Sequence, residues 1–252
     1  MSPHPFLDHP PPIAFAHRGG ALEAEENTLP TFERAIALGY THVETDVQAT
    51  RDGVAVIFHD ATLKRMLGRE ARIDTVTWAE LAQLRTPSGA QVPRLDEMLA
   101  ACPALFFNLE VKADAAVEPM IQAIRRVNAL DRVCVGSFAS ARTTRLRDAL
   151  GPGLCWSPAH AGAARLLLAG WGLPLSVAFP VLQVPIRFRG LPVVTRRLIR
   201  AAHARRVQVH VWTVDDADTM GRLIDLGVDG IMTDRPSVLR EVMQQRGLWP
   251  AE

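Results

Sequence analysis

The chain has 252 residues, 48% of them hydrophobic and 22% charged, with a formal net charge of +1. That length suits two small domains or one large α/β barrel. The near-zero balance removes any global electrostatic case for a nucleic-acid partner.

The first twelve residues carry prolines and histidines but no basic segment followed by an apolar core, so no secretory signal is expected. Ile13 to Ala16 then reads as a short strand running into His17-Arg18-Gly19-Gly20, where the glycines allow a sharp turn. Thr28 to Leu38 has helical spacing and is closed by Gly39. The next strand, Val43 to Val47, alternates. Val43, Thr45 and Val47 share one face, and Glu44 and Asp46 share the other. Two carboxylates side by side on a buried strand repel unless a cation or a proton compensates them.

Arg51-Asp52-Gly53 is a turn, and Val54 to Phe58 returns to His59-Asp60. Ala61 to Pro93 lacks periodicity and reads as an excursion from the main pattern. A short helix, Leu95 to Ala101, leads into the strand Ala104 to Lys112, where Asn108, Glu110 and Lys112 share a face.

From there helices and strands alternate: helices at Ala115–Asn128, Ser140–Leu150, Ala161–Leu168, Thr195–Arg205, Ala217–Leu226 and Ser237–Gln245. Between them lie strands at Arg132–Gly136, Leu154–Ser157, a segment ending near Gln183, Val207–Val214 and Gly230–Thr233. Roughly eight strand–helix units in one chain predict an α/β fold, a (β/α)8 TIM barrel. No GxGxxG follows a strand, which counts against a dinucleotide-binding sheet.

Cys102, Cys134 and Cys155 have no CxxC spacing, and the last two sit in strand-like runs, so buried free thiols are expected. The apolar segment Leu166 to Val184 is broken by glycines and prolines and makes a poor spanning helix. These features favour a reducing, cytoplasmic setting.

Barrel enzymes gather their chemistry at the C-terminal ends of the strands, and the polar residues of this chain fall there. Glu44, Asp46 and Glu110 offer hard oxygen ligands for one divalent cation, Mg²⁺ or Ca²⁺. The alternative is a salt-bridge network of the same carboxylates with Arg18 and Lys112. His17 and His59 form a candidate acid/base pair, since histidine titrates near neutrality. His203 and His210 read instead as structural histidines. Beside a metal, Arg18 and Lys112 would hold an anion, and phosphate suits a guanidinium fork. Metal, two histidines and two cations together suggest phosphoester cleavage.

These residues also resemble a known family. His17-Arg18-Gly19, Glu26-Asn27-Thr28, Glu44-x-Asp46, Asp52-Gly53, His59-Asp60, Asn108-x-Glu110-x-Lys112, Trp212-Thr213-Val214, Asp229-Gly230-Ile231 and Thr233-Asp234 are similar to the motifs of glycerophosphodiester phosphodiesterases. The resemblance runs from about Ala14 to Pro236. It implies a TIM barrel that hydrolyses glycerophosphodiesters to sn-glycerol 3-phosphate and an alcohol, with a small insertion (about 61–93) after the second barrel strand. It further implies Glu44, Asp46 and Glu110 as metal ligands, His17 as general base and His59 as general acid. Arg18 becomes a phosphate contact, Lys112 an active-site cation, and Trp212 part of the wall beside the substrate's glycerol, with a barrel-core aromatic as its other reading. Glu25 and Asp215 depart from the usual pattern, and Asp215 would weaken anion binding if it faced the site.

Between Asp148 and Asp215 no acidic residue occurs, while arginines crowd from Arg187 to Arg206. The favoured reading is a solvated outer helix. The alternative is weak peripheral contact of Trp171 to Leu175 and these arginines with anionic lipid, which would suit a lysophospholipase D. A barrel that binds phosphate or lipid without catalysis is a further alternative, opposed by a competent residue at every proposed catalytic position.

Overall fold

The structure is a computed structural model that describes residues 4–249; the first three residues of the proline-rich lead lie outside the described residues. Strand β1 (Ile13–His17) is followed by α1 (Leu29–Ala37), β2 (His42–Ala49) and β3 (Ala55–Ile57). The excursion contains two short α-helices, α2 (Lys64–Leu67) and α3 (Trp78–Leu81), with a single 3-10 turn (Ile73–Thr75) between them, before α4 (Leu95–Ala101) and β4 (Phe106–Val111). Then come α5 (Val117–Arg126), β5 (Val133–Gly136), α6 (Ser140–Leu150), β6 (Cys155–Trp156), α7 (His160–Gly170) and β7 (Val181–Pro185). A small hairpin, β8 (Arg187–Phe188) and β9 (Leu191–Pro192), precedes α8 (Arg196–His203), β10 (Gln208–Trp212), α9 (Ala217–Leu226), β11 (Gly230–Thr233) and α10 (Pro236–Gln245).

Eight of the strands form a parallel ladder in the order β6-β5-β4-β2-β1-β11-β10-β7. The two ends of this ladder face each other across a seam that the Gln183 amide bridges by donating to Ser157 Oγ at 3.1 Å. The fold is a nearly closed (β/α)8 barrel, as the alternation predicts. β3 pairs antiparallel with β2 outside the ring, so the chain leaves the barrel there for its insertion.

Alternation along β2 divides the core. Val43 and Val47 join Phe107, Leu109 and Val111 beneath the outer helices. Phe6, Phe15, Cys134, Cys155, Val181 and Met232 form a separate cluster. Strand register puts the last five on the inner face, where together with Phe6 they fill the barrel's lower half. Phe6 is wholly buried and meets the rings of His42, Phe15 and Phe106, so the N-terminal segment plugs the floor. All three cysteines are buried and free. No helix among the described residues is long and apolar enough to cross a membrane.

Candidate active site

Strand register assembles the mouth. In β1, β2 and β4, His17 lies level with Glu44, and Glu44 with Asn108; one step higher, Asp46 lies level with Glu110. Parallel strands run about 4.8 Å apart, so side chains at one level on the inner face converge. One oxygen each from Glu44, Asp46 and Glu110 falls within 4.8 Å of the others. The turn after β1 needs its glycines: Gly19 has φ +84°, and a Cβ there would meet Thr31 at 2.5 Å.

The carboxylates are strongly confined. Glu44 is 4% exposed and Asp46 1%. Burial, with Asp46 and Glu110 alongside, pushes the Glu44 carboxyl up to about 8 against the pull of His17. Glu110 is raised by burial and by Asp46 beside it, against the pull of Lys112. Lys112 Nζ lies 3.3 Å from Asp46 and 3.1 Å from Glu110; burial acts to lower its pKa, but the two carboxylates prevail and raise it. Arg18 Nε approaches Asp46 to 3.2 Å without the alignment of a hydrogen bond. Asn27 Nδ2 donates to Asp46 at 3.2 Å. Glu44 Oε2, by contrast, is buried with no hydrogen-bond partner.

The two histidines are each oriented by an aspartate. His17 Nδ1 lies 2.7 Å from Asp234 Oδ1, and its Nε2 faces Glu44 Oε2 at 3.4 Å. Burial works to lower the His17 pKa, but Glu44 and Asp234 outweigh it and raise the group to about 9. His59 Nδ1 lies 2.7 Å from Asp60 Oδ1. Asp60 in turn accepts from Arg65 Nε at 2.7 Å, and the Arg65 guanidinium reaches across to Glu26 at 2.7 Å. Glu26 also accepts from Arg18 Nη1 at 3.3 Å. Hydrogen bonding from Arg65, with His59 beside it, depresses the Asp60 carboxyl to about 2.

His17, Arg18, Glu44, His59, Glu110 and Lys112 all line one cavity of about 480 Å³, with Trp212 on its wall. Asp46 lies beneath them, joined to the site through Arg18 and Lys112. Thus the eight predicted residues come together. His203 and His210 lie apart: His203 pairs with Asp229, and His210 is buried beside Gln208. Asp215 turns away from the cavity, accepting from Thr233 Oγ1 at 3.1 Å and the Asp234 amide at 2.8 Å, so it buttresses Asp234 instead of repelling an anion. Glu25 faces the insertion, accepting from Thr86 and Ser88.

Sequence reading passed over Asp60 and Asp234 as histidine partners, although both stood within quoted motifs. Arg65 gave no signal, lying in an aperiodic stretch. Of the far wall only Trp212 was expected. There the rings of Trp212, Phe138, His160 and Phe188 form a chain with centroids 5.3–5.8 Å apart.

Residues 17–238 match the glycerophosphoryl diester phosphodiesterase family. A Mycobacterium tuberculosis protein named "Probable glycerophosphodiester phosphodiesterase 2" is 38% identical over 97% of this chain and 95% of its own length. A glycerophosphodiester phosphodiesterase of Caldanaerobacter subterraneus is 29% identical, covering 93% of this chain and 99% of that one. An Oleispira antarctica phosphodiesterase, solved with the product sn-glycerol-3-phosphate, shares the fold at a TM-score of 0.78 and 23% identity, over 92% of this chain and 97% of that one. The chain belongs to the glycerophosphoryl diester phosphodiesterase family.

Proposed function

We propose that this enzyme hydrolyses glycerophosphodiesters to sn-glycerol 3-phosphate and an alcohol, using one divalent cation and paired histidines. The phosphodiesterase activity is that of the family, and the Oleispira relative holds the same product. One observation supports the metal: three carboxylates converge, and the buried Glu44 Oε2 makes no hydrogen bond, its nearest cationic neighbour being His17 Nε2 at 3.4 Å. An orphaned, ionisable oxygen in that position is costly unless a cation accepts it. Glu44, Asp46 and Glu110 would hold the ion, and an all-carboxylate set suits Mg²⁺ or Ca²⁺ better than zinc. When bound, the cation supplies positive charge against the phosphodiester and the charge that develops at phosphorus.

Arg18 and Lys112 lie beside the carboxylates and would hold the phosphate oxygens of the diester. Asp234 accepts from His17 Nδ1–H, which leaves Nε2 to take the proton of the attacking oxygen. Glu44, the carboxylate that raises the His17 pKa, would also help hold the cation, and with its charge engaged there His17 Nε2 would be free to act as the base. Asp60 orients His59 in the same way, leaving its Nε2 to protonate the departing alcohol.

The test is calorimetric titration with Mg²⁺ and Ca²⁺ alongside glycerol 3-phosphate release. One ion per chain, lost in Glu44→Gln together with turnover, is the expected result. Full turnover in the presence of chelator would sink the metal reading. A second reading, removal of head groups from lysophospholipids, draws on the apolar wall of Ala163, Ala164, Leu167 and Val193 opposite the charged centre.

A further inference from the structure

Arginines in this protein normally find carboxylates. Arg65, Arg94, Arg142 and Arg246 each hold one at 2.6–2.9 Å. The stretch from residue 149 to 214 breaks that habit. It contains eight arginines and no acidic residue, and among the described residues none of the eight is paired with a carboxylate. Arg196 and Arg197 even open α8, where positive charge opposes the helix dipole. Charge placed against local preference and left uncompensated points to an anionic partner outside the molecule.

The same stretch collects exposed apolar side chains. Phe188 and Leu191 face each other across the β8–β9 hairpin and are 45% and 71% exposed. Arg189 and Gly190 form its two-residue turn, both with positive φ (50° and 82°), the geometry of a tight primed hairpin that holds both side chains out. Trp171, 68% exposed, lies under the Arg197 guanidinium at 4.1 Å. Phe188 also lines the catalytic cavity, and the ring chain through His160 and Phe138 leads from the hairpin to Trp212. Nucleic acid would explain the arginines but not a protruding Leu191. Lipid explains both, since aromatic and aliphatic wedges flanked by cations suit the headgroup boundary of an anionic leaflet.

We propose that the β8–β9 hairpin, with Arg189 in its turn and Arg196 at the start of α8, docks the barrel mouth on an anionic lipid bilayer. Binding itself needs no turnover and stands apart from the hydrolase reading. Only the consequence, that an amphiphilic diester could pass from the bilayer along the apolar wall, rests on that reading.

The test is co-sedimentation of the full chain with vesicles of phosphatidylcholine alone or with about 30% phosphatidylglycerol, at about 0.1 M and about 0.5 M salt. Release of glycerol 3-phosphate from a water-soluble diester is measured on the same preparations. Binding should require the anionic lipid and weaken at high salt. Arg189→Asn with Arg196→Gln should cost roughly thirtyfold in affinity, and Leu191→Glu should cost at least as much. None of the three residues itself lines the cavity, so soluble-diester turnover should stay within about twofold, which also reports that the variants are folded. Equal binding to both vesicle types, binding unchanged in both variants, preferential capture of a single-stranded oligonucleotide, or a hairpin-dependent dimer by sedimentation velocity would each overturn the proposal.

Discussion

The mouth and the floor of the barrel treat the same side chain in opposite ways. At the mouth, His17 stands between Glu44 and Asp234, and its pKa is raised to about 9. At the floor, His42 and His210 are wholly buried among the rings of Phe6, Phe15 and Phe106, and burial lowers both to about 3. His42 and Glu44 even belong to the same face of one strand, two residues apart. A carboxylate on one side and an apolar plug on the other decide whether a buried imidazole is a proton carrier or a neutral piece of core. The mouth is therefore electrically poised and relies on what it binds, whereas the floor is stable only while it stays uncharged.

Removing the charge that defines the mouth should have the largest effect. Glu44→Gln is expected to abolish stoichiometric Mg²⁺ or Ca²⁺ binding by calorimetry and to cut turnover by about 10³-fold or more. Wild-type-like ion binding in that variant would remove Glu44 from the ligand set. The histidine roles can be separated next. His17→Asn and His59→Asn should each lose about 10²–10⁴-fold on a diester with an alkyl leaving group. With a nitrophenol leaving group, which departs without a proton, His59→Asn should recover most of that loss and His17→Asn should not. Equal recovery by both would dissolve the acid and base assignments.

The floor yields a prediction about stability. Folding depresses the pKa of His42 and His210 from 6.5 to about 3. Below pH 6.5 the unfolded chain takes up protons that the folded chain refuses. The stability from keeping both neutral is thus complete above pH 6.5 and is lost as the pH falls towards 3. At pH 5 each histidine removes about 2 kcal/mol, a large share of an ordinary domain's stability. Urea unfolding at pH 7 and pH 5 should show this drop, and His42→Gln, which keeps an amide donor for the Phe6 carbonyl, should reduce it by about half. An identical pH dependence in wild type and variant would mean that other groups control acid unfolding.

These two ends were not equally legible. The mouth could be read because its residues sit on β2 and β4, long strands whose period-2 alternation puts Glu44, Asp46 and Glu110 on the inner face before any register is known. The floor could not. Phe6 plugs it from a short turn with no periodic context, and whether His42 meets a ring or a carboxylate depends on how far up the barrel its strand places it. The hairpin at residues 187–192 escaped for another reason: its strands are two residues long and its pairing is set by an Arg-Gly turn. Asp215 looked like a threat to anion binding by identity alone, but a hydrogen bond from the Asp234 amide gives it a supporting place that residue type cannot reveal.

The smallest expected effect lies where the insertion meets the mouth, and it bears on how far the mouth's polarity is organised from outside the barrel. Arg65 belongs to α2, yet its guanidinium holds Asp60 on one side and Glu26 on the other. Through Asp60 it steadies His59, and through Glu26 it shares an acceptor with Arg18. It is about half exposed, so its ion pairs are screened and contribute modestly to stability. Arg65→Met should therefore leave the thermal midpoint within a few degrees of wild type. Its cost should fall on kcat/KM for alkyl diesters, by about tenfold, and should shrink with a nitrophenol leaving group, because the steadied group is the proposed acid. A loss of equal size on both substrates would place Arg65's influence on Arg18 and phosphate binding instead. The insertion would then serve the anion site, with the proton donor left to Asp60 alone.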